Sequence, residues 1–350
     1  MEINGKINTE KKRYYSIDIM KLICACLVVG VHAQLFSDIN RALGEVVTGT
    51  FGRMCVPFFA CVSGYFFIKA EAEGKNPLKR QIKSLIKYYL IFSLFYIIWE
   101  FFKGSFSAMS SGMTVMTILK RFFLYGTYYH LWFFPCMILS LIVIHFAVKY
   151  HMMTLLAVFS FASYIFAAFT YGWNGIGQMF IPGFGRLMEW FDFDYIRRFA
   201  GLTLPLAVLG MFIIHTCAFW KDKRHDRILW IGWLISITAD TVETAFVLKT
   251  GIAEGTTVTF ALMPVIYFTF MLGLRYPMEN REQVGKFCRN ASIVMYGLHP
   301  LFLEVLEIIF KGMITPTVCW GIVVIFCVLI SYVGQILLKE VPGRHDLKKR

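Results

Sequence analysis

Long apolar runs separated by short polar segments make up most of the chain between residues 17 and 338. Each run holds about 15 to 22 mostly apolar residues, and about 20 residues of α-helix cross the roughly 30 Å of hydrocarbon in a bilayer. We therefore predict an all-α, polytopic membrane domain over residues 17–338, with about ten transmembrane helices. The predicted spans are 17–36, 51–68, 88–102, 130–146, 152–171, 201–219, 228–248, 257–274, 292–310 and 317–338.

The polar flanks of this domain predict its orientation. Basic residues 11–13 precede the first run, so the positive-inside rule places the N-terminal tail, residues 1–16, in the cytoplasm. An even number of spans returns the C-terminal tail, residues 339–350, to the same side. The first run is long and no small-residue cleavage pattern follows it, so we expect it to remain as a membrane anchor.

The composition supports a membrane protein and excludes an ordinary soluble domain. Hydrophobic residues make up 57% of the chain, charged residues only 16%, and the mean hydropathy is +0.61. The net charge of +13 is concentrated in predicted cytoplasmic segments that would face lipid headgroups, so no nucleic-acid partner is expected. The nine cysteines are single and have no metal-ligand spacing, so neither a metal site nor a disulfide framework is predicted.

Three ionisable residues lie in the first predicted helix, namely Asp18, Lys21 and His32. At about 100° per residue, Lys21 and His32 share one helix face and lie about 16 Å apart along the axis. Because an ionisable group at the centre of a membrane helix costs roughly 2.5 to 3.5 kcal/mol, we interpret them as inward-facing and functional. In the alternative interpretation, Asp18 and Lys21 reach towards the cytoplasmic surface and His32 is an ordinary interior histidine.

Two further histidines lie in apolar runs, His130 beside Trp132 and His299 after Tyr296. A neutral imidazole close to a hydroxyl can take its proton as a new bond forms, and His32 is the histidine that we favour as such a base. His130 is equally explained as an interfacial residue beside aromatic neighbours. His299 is equally explained by Pro300, which frees a backbone carbonyl one turn back for a nearby polar group.

Two other segments carry candidate binding residues. Ser63 and Gly64 are two consecutive small residues in the second predicted helix, a pattern typical of a close approach between helices. Residues 77–87 have the pattern of an amphipathic helix on the cytoplasmic membrane surface, with Arg80 and Lys83 in its basic stripe. Such a stripe could bind the phosphates of a ligand, or it could simply attract anionic lipid and set the topology.

The ordered set of these motifs resembles the acyltransferase-3 family of integral membrane acyltransferases. The motifs concerned are Asp18, Lys21 and His32, then Val56 to Phe59 with Ser63 to Tyr65, then Arg80 and Lys83, then His130 to Phe133, and finally Tyr296 to Pro300. There is one departure, because the family has an arginine where this chain has Lys21. Lysine keeps the charge but loses the planar fork that binds a carboxylate or a phosphate at two points.

The resemblance implies a bacterial cytoplasmic-membrane O-acyltransferase that uses cytoplasmic acyl-coenzyme A, with acetyl as the expected acyl group, as co-substrate and holds no bound cofactor. The implied acceptor is a hydroxyl of a cell-surface glycan, an exopolysaccharide or a lipid-linked sugar. Asp18, Lys21 and His32 would be catalytic, with His32 deprotonating the acceptor or transiently receiving the acyl group. Lys21, Arg80 and Lys83 would bind the donor. The implied cavity-lining residues are Ser63, His130, Trp132, Tyr296 and His299.

A second function remains open. A related group of membrane domains, fused to serine racemases and linked to serine uptake, shares the Arg-x-x-Val-Pro-Phe-Phe pattern found here at Arg53 to Phe59. The same buried charges would then form the binding site of a transporter for a small polar solute such as serine. No clear internal repeat supports that alternative. A catalytically inactive membrane protein is a third interpretation, and Lys21 favours it.

Overall fold

The computed structural model describes residues 13–104, 114–181, 183–186 and 193–340, and within these ranges its regular secondary structure is helical. Most of the two predicted tails, residues 1–12 and 341–350, lies outside the described residues. In chain order the α-helices are α1 (Tyr15–Ala33), α2 (Arg41–Val47), α3 (Cys55–Ala72), α4 (Leu78–Phe102), α5 (Val115–Lys120), α6 (Phe133–Lys149), α7 (Met153–Thr170), α8 (Asn174–Phe180), α9 (Phe193–Ile196), α10 (Leu204–Thr216), α11 (Asp226–Thr250), α12 (Leu262–Arg275), α13 (Glu282–Phe310) and α14 (Pro316–Glu340).

The helices confirm the predicted all-α, polytopic membrane architecture. In the described part of the chain, eight helical segments are long and apolar enough to cross a membrane. The two shorter apolar helices, α6 and α12, account for the remaining predicted spans. Large apolar side chains lie exposed along the outer faces of α11 and α14, as expected for surfaces that contact lipid. The chain is therefore an integral, multi-pass membrane protein.

The predicted boundaries of the surface helix and of the first helix were wrong. The surface helix predicted over 77–87 is not a separate element, because α4 runs unbroken from Leu78 to Phe102 with no glycine or proline inside it. The basic stripe therefore forms the first turns of a membrane helix. The first helix ends at Ala33 rather than at residue 36, since Gln34 adopts a left-handed conformation (φ 57°) and its N–H bonds to the carbonyl of Gly30.

The second predicted span is longer than its apolar run. It begins at Arg41 in α2 and passes through a π-helical turn, Thr48–Gly52, before α3 begins at Cys55. Pro57 lies in the first turn of α3, where a missing N–H breaks no intrahelical hydrogen bond. The backbone distortion therefore lies in the π-helical turn, a feature that is frequent at functional sites.

Two apolar clusters hold the bundle together. The larger one joins α3, α6, α10 and α12 through buried side chains such as Phe58, Leu141 and Phe270. The smaller one lies where α1 packs against α13 and α14, and contains Ala25, Val29, Met295, Val323 and Cys327. The α1 and α13 pair thus has an apolar centre, and its polar residues lie towards the two ends.

The crossing of α3 and α10 confirms the close approach predicted at Ser63 and Gly64. A Cβ atom at position 64 would lie 2.1 Å from the carbonyl oxygen of Ala207, and one at Gly210 would lie 2.5 Å from the amide nitrogen of Tyr65. Both neighbours are backbone atoms, which cannot move aside as a side chain can. Glycine at these two positions therefore sets the distance between the helices.

Gly64→Ala is expected to destabilise the protein by about 1–3 kcal/mol or more, because the backbones of α3 and α10 must separate to admit the methyl group. Thermal unfolding of the purified protein in detergent would measure the loss. Gly321→Ala on α14 is the matched control, since a Cβ atom there would meet nothing within 4 Å. Equal melting temperatures for the two variants would contradict the close-packing interpretation.

Candidate functional site

Three histidines from distant parts of the sequence meet near one end of the α1 and α13 pair. The ring centroids of His32 and His299 lie 5.1 Å apart, and those of His130 and His299 lie 5.3 Å apart. His130 and His299 are 3% and 0% exposed, whereas His32 is exposed. The structure therefore brings together the three histidines predicted to be functional, with His32 as the accessible member.

The position of His32 at the end of α1 is fixed by contacts with α14. The segment after Ala33 is tied to the start of α14, because the amide of Phe36 donates to the Thr317 hydroxyl (3.1 Å), which itself donates to Asp38. The Thr317 hydroxyl also holds the pKa of the Asp38 carboxyl below its usual range. His32, the penultimate residue of α1, is thus held in place from the C-terminal side of the helix.

The hydrogen bonds of His299 define its tautomer. Its Nδ1 lies 3.0 Å from the carbonyl oxygens of both Met295 and Tyr296. Carbonyl oxygens only accept, so Nδ1 carries the proton and donates it. The Tyr296 carbonyl is the one that Pro300 leaves without an intrahelical partner, so Nδ1 of His299 supplies the missing hydrogen bond. Its Nε2 is buried and makes no hydrogen bond to any described residue, so a lone pair remains for a proton or a ligand.

Aromatic residues hold the segment that carries His130 against α13. The Tyr296 hydroxyl donates to the His130 carbonyl, and the Tyr96 hydroxyl donates to the carbonyl of Gly297 (2.8 Å). The His130 ring packs edge-on against the Tyr96 and Tyr296 rings at centroid distances of 5.2 and 5.5 Å. Tyr296 therefore positions His130 through its hydroxyl as well as lining the site.

A cavity of about 90 Å³ adjoins the three histidines. Its lining residues are Val28, Val31, His32, Gly52, Arg53, Val56, Pro57, Tyr129, His130, Trp132, Leu202, Thr257 and Tyr296. Four residues predicted for the site, His32, His130, Trp132 and Tyr296, line this cavity, and His299 adjoins it through its contacts with the other two histidines. Ser63 is not in this lining, because it lies further along α3 at the crossing with α10.

Arg53 also lines this cavity, although it was not predicted as a site residue. It follows the π-helical turn Thr48–Gly52 and shares the cavity lining with His32. Among the described residues it forms no ion pair with a carboxylate, so its charge remains available to a ligand. Its position at the start of the Arg-x-x-Val-Pro-Phe-Phe pattern was the signal that could have identified it. A second cation lies nearby, since Arg198 stacks over Trp132 at 5.3 Å from the ring centroid.

Asp18 and Lys21 form a separate polar cluster near the other end of α1. Lys21 Nζ lies 3.8 Å from Asp18 Oδ1, and Arg289 of α13 places Nη1 3.6 Å from Asp18 Oδ2. Arg289 was not predicted, because its position lies before the apolar run that defined the ninth span. Asp18 and His32 therefore both contact α13. About 16 Å of helix separates Lys21 from His32, so the two do not form one site.

Arg80 and Lys83, the other residues predicted to bind the donor, are exposed in the first turns of α4. Neither lines the cavity beside the histidines. Both lie at the end of α4 that is predicted to face the cytoplasm, so they remain reachable by a soluble anionic ligand.

Comparison with known proteins identifies relatives of the chain. The Acyl_transf_3 family model, described as "Acyltransferase domain", matches residues 14–335. An "Amino-acid racemase" of Enterococcus faecalis is 26% identical over 312 residues, which cover 86% of this chain and 42% of that protein. A "Serine/alanine racemase" of Enterococcus gallinarum is 25% identical over 301 residues, covering 81% of this chain and 40% of that protein. The chain thus spans less than half the length of these relatives. No solved structure matches.

Proposed function

The chain belongs to the acyltransferase-3 family, and we propose that it is a bacterial cytoplasmic-membrane O-acyltransferase. It would move an acyl group, with acetyl as the expected one, from cytoplasmic acyl-coenzyme A to a hydroxyl of a cell-surface glycan, an exopolysaccharide or a lipid-linked sugar. The observation that carries this proposal is the cavity in which an accessible His32 contacts His299 and shares the lining with Arg53.

These residues have complementary chemical roles in acyl transfer. His32 accepts the proton of the acceptor hydroxyl, directly or after carrying the acyl group itself, and the free Nε2 of His299 gives that proton a second basic site close by. The Arg53 guanidinium stabilises the negative charge that develops on the acyl carbonyl oxygen. In the net reaction the thioester C–S bond breaks, an acyl–O bond forms, and the hydroxyl proton ends on the coenzyme A thiol.

The proposal is tested by incubating membranes that contain the protein with radiolabelled acetyl-coenzyme A and extracted envelope glycans. Label is expected in an alkali-labile ester on the glycan fraction, and membranes without the protein provide the background. Absence of protein-dependent label from the glycan, from lipid-linked sugars and from exopolysaccharide would overturn acyl transfer as the function.

A second candidate function, passage of a small polar solute such as serine, is favoured by a buried polar cluster on α11. Asp240 is 1% exposed and accepts a hydrogen bond from the Thr259 hydroxyl. Thr50 and Thr244 are 0% exposed, and their hydroxyls make no hydrogen bond to any described residue. A carboxyl and spare hydroxyls inside a membrane bundle suit a polar solute. Uptake of labelled serine into proteoliposomes without an acyl donor would support this candidate, and no uptake above protein-free liposomes would remove it.

Lys21→Arg is expected to change acyl transfer by no more than about threefold, which is well under 1 kcal/mol in the barrier. Arg289 already supplies a guanidinium to Asp18, so a second planar fork adds little. Lys21→Met should lower acyl transfer more than Lys21→Arg changes it, because methionine leaves Asp18 with one cation fewer. Initial rates with labelled acetyl-coenzyme A would compare the three proteins. A large gain in Lys21→Arg would show instead that lysine weakens the site.

A further inference from the structure

A second cavity lies near the opposite end of the bundle from the three histidines. It encloses about 190 Å³ where α3, α10 and α12 end and where α1 begins. Its lining residues are Tyr14, Tyr65, Lys69, Cys217, Trp220, Lys221, Met271, Leu274, Arg275 and Pro277. In the sequence, the lining residues Tyr14 and Lys221 adjoin the basic segments 11–13 and 221–227, which are among those that predict the cytoplasmic side, so this cavity would open to the cytoplasm.

Three cations converge on this cavity from three different elements. Lys69 comes from the last turns of α3, Lys221 from the short turn after α10, and Arg275 from the end of α12. Lys69 lies over the Tyr65 ring, with Nζ 6.0 Å from the centroid, so an aromatic wall helps to hold the ammonium in place. Convergence of charges from separate elements builds a concave cationic surface, which a single basic helix face does not.

The charges in this cavity are only partly neutralised. Arg275 is paired with Asp226, to which it donates two hydrogen bonds of 2.6 and 3.0 Å. In the part of the chain that the structure describes, neither Lys69 nor Lys221 forms an ion pair. The three helix C-termini carry partial negative charge and attract these cations, but that attraction falls off within the last turn. The N-terminus of α1 at Tyr15 carries partial positive charge and repels them. Two lysines are therefore available to an anion.

The chemistry of the lining indicates which anion fits. Lysine binds phosphate as a point charge, and Arg275 can share its remaining N–H groups with a second oxygen. The aromatic and apolar residues Tyr14, Trp220 and Leu274 offer packing surface to the organic part of a phosphate ester. Tyr14 directly precedes α1, the helix that carries Lys21 seven residues further on, about 10 Å along its axis.

We propose that this cavity binds a phosphate ester, and, resting on the acyl-transfer function proposed above, that this ester belongs to the acyl-coenzyme A donor. The phosphates would bind Lys69 and Lys221, and the acyl end would point along α1 towards the histidines. The donor site would then be assembled mainly from α3, α12 and the segment after α10 rather than from the basic start of α4. An anionic lipid headgroup offers the same phosphate chemistry, so the test must separate the two sources.

The full chain in phosphatidylcholine nanodiscs is titrated with coenzyme A, and the dissociation constant is compared between the wild type and the double variant Lys69→Gln, Lys221→Gln. Loss of two charge-assisted contacts is expected to weaken binding by about tenfold or more for each lysine. Lys223→Gln is the matched control, because it removes a lysine two positions from Lys221 that is exposed and outside the lining. Lys69→Arg and Lys221→Arg should retain binding.

A parallel arm measures the rise in melting temperature when phosphatidylglycerol replaces phosphatidylcholine. If the double variant loses this rise but keeps its affinity for coenzyme A, the cavity binds a lipid headgroup and the donor assignment is overturned. If neither quantity changes, phosphate binding itself is overturned. Should the double variant not fold, the single Lys221→Gln exchange at an exposed position decides between these outcomes. Because binding is measured without an acceptor, absence of acyl transfer would count against the catalytic proposal and not against this site.

Discussion

Replacing His32 by alanine is expected to lower acyl transfer by about 100- to 10,000-fold, the range that a positioned general base contributes. His32 is the accessible histidine of the three and shares the cavity lining with Arg53, so an acceptor that enters the cavity meets it first. His299 lies 5.1 Å away between ring centroids but is fully buried, which leaves it unable to replace His32 in direct contact with the acceptor. Initial rates of label transfer from acetyl-coenzyme A to the acceptor glycan would measure the loss.

Two additional measurements separate a chemical role of His32 from a packing role. Free imidazole should restore part of the activity of His32→Ala, because the missing side chain enlarges a cavity that can admit the ring, whereas pyrrole, a ring of the same shape without a basic nitrogen, should not restore it. His215→Ala is the matched control, since His215 is exposed in the last turn of α10 and should tolerate the exchange. Binding of coenzyme A should be unchanged in both variants. Full label transfer by His32→Ala would exclude the proposed role.

The apolar pattern predicted the spans well but predicted their ends poorly. A long run of apolar residues is stabilised by burial in hydrocarbon, so the ten spans follow from the positions and lengths of these runs. Helix ends depend on single backbone choices, such as the left-handed Gln34 that ends α1. The end of a helix that starts after a proline also depends on where a later glycine or proline interrupts it. No glycine or second proline interrupts α4 after Pro77, so the predicted surface helix continues into the membrane.

The candidate site could be predicted only in part, because tertiary packing brings its residues together. His32, His130 and His299 were each found because a histidine in an apolar run is unusual, yet no sequence spacing shows that they meet. Their meeting results from the packing of α1 against α13 and from the Tyr296 hydroxyl that holds the His130 carbonyl. Arg53 was missed because it lies at the start of the second predicted span, 51–68, where an arginine is ordinarily explained by its reach to the membrane surface. Its place in the cavity lining, together with its position at the start of the Arg-x-x-Val-Pro-Phe-Phe pattern, distinguishes it from the other basic residues at helix ends.

Arg53→Gln is expected to lower acyl transfer by about 100- to 1,000-fold, the loss seen when a preorganised donor to a developing oxyanion is removed. Glutamine keeps a hydrogen-bond donor and much of the length of arginine but removes the charge. Arg53→Lys keeps the charge and loses the planar fork, so its activity should lie between those of the wild type and Arg53→Gln. Steady-state rates at several acceptor concentrations would measure both kcat and KM for each variant.

The division of the Arg53→Gln effect between kcat and KM tests where the arginine acts. An arginine that stabilises charge present only in the transition state lowers kcat when it is removed and leaves KM nearly unchanged. If Arg53 instead holds an anionic group of the acceptor in the ground state, its removal raises KM. Arg41→Gln is the matched control, because Arg41 begins the same helical segment, pairs with Glu45 and has a side chain that is 88% exposed. A rise in KM at constant kcat would therefore contradict oxyanion stabilisation and would identify Arg53 as a residue that selects an anionic acceptor.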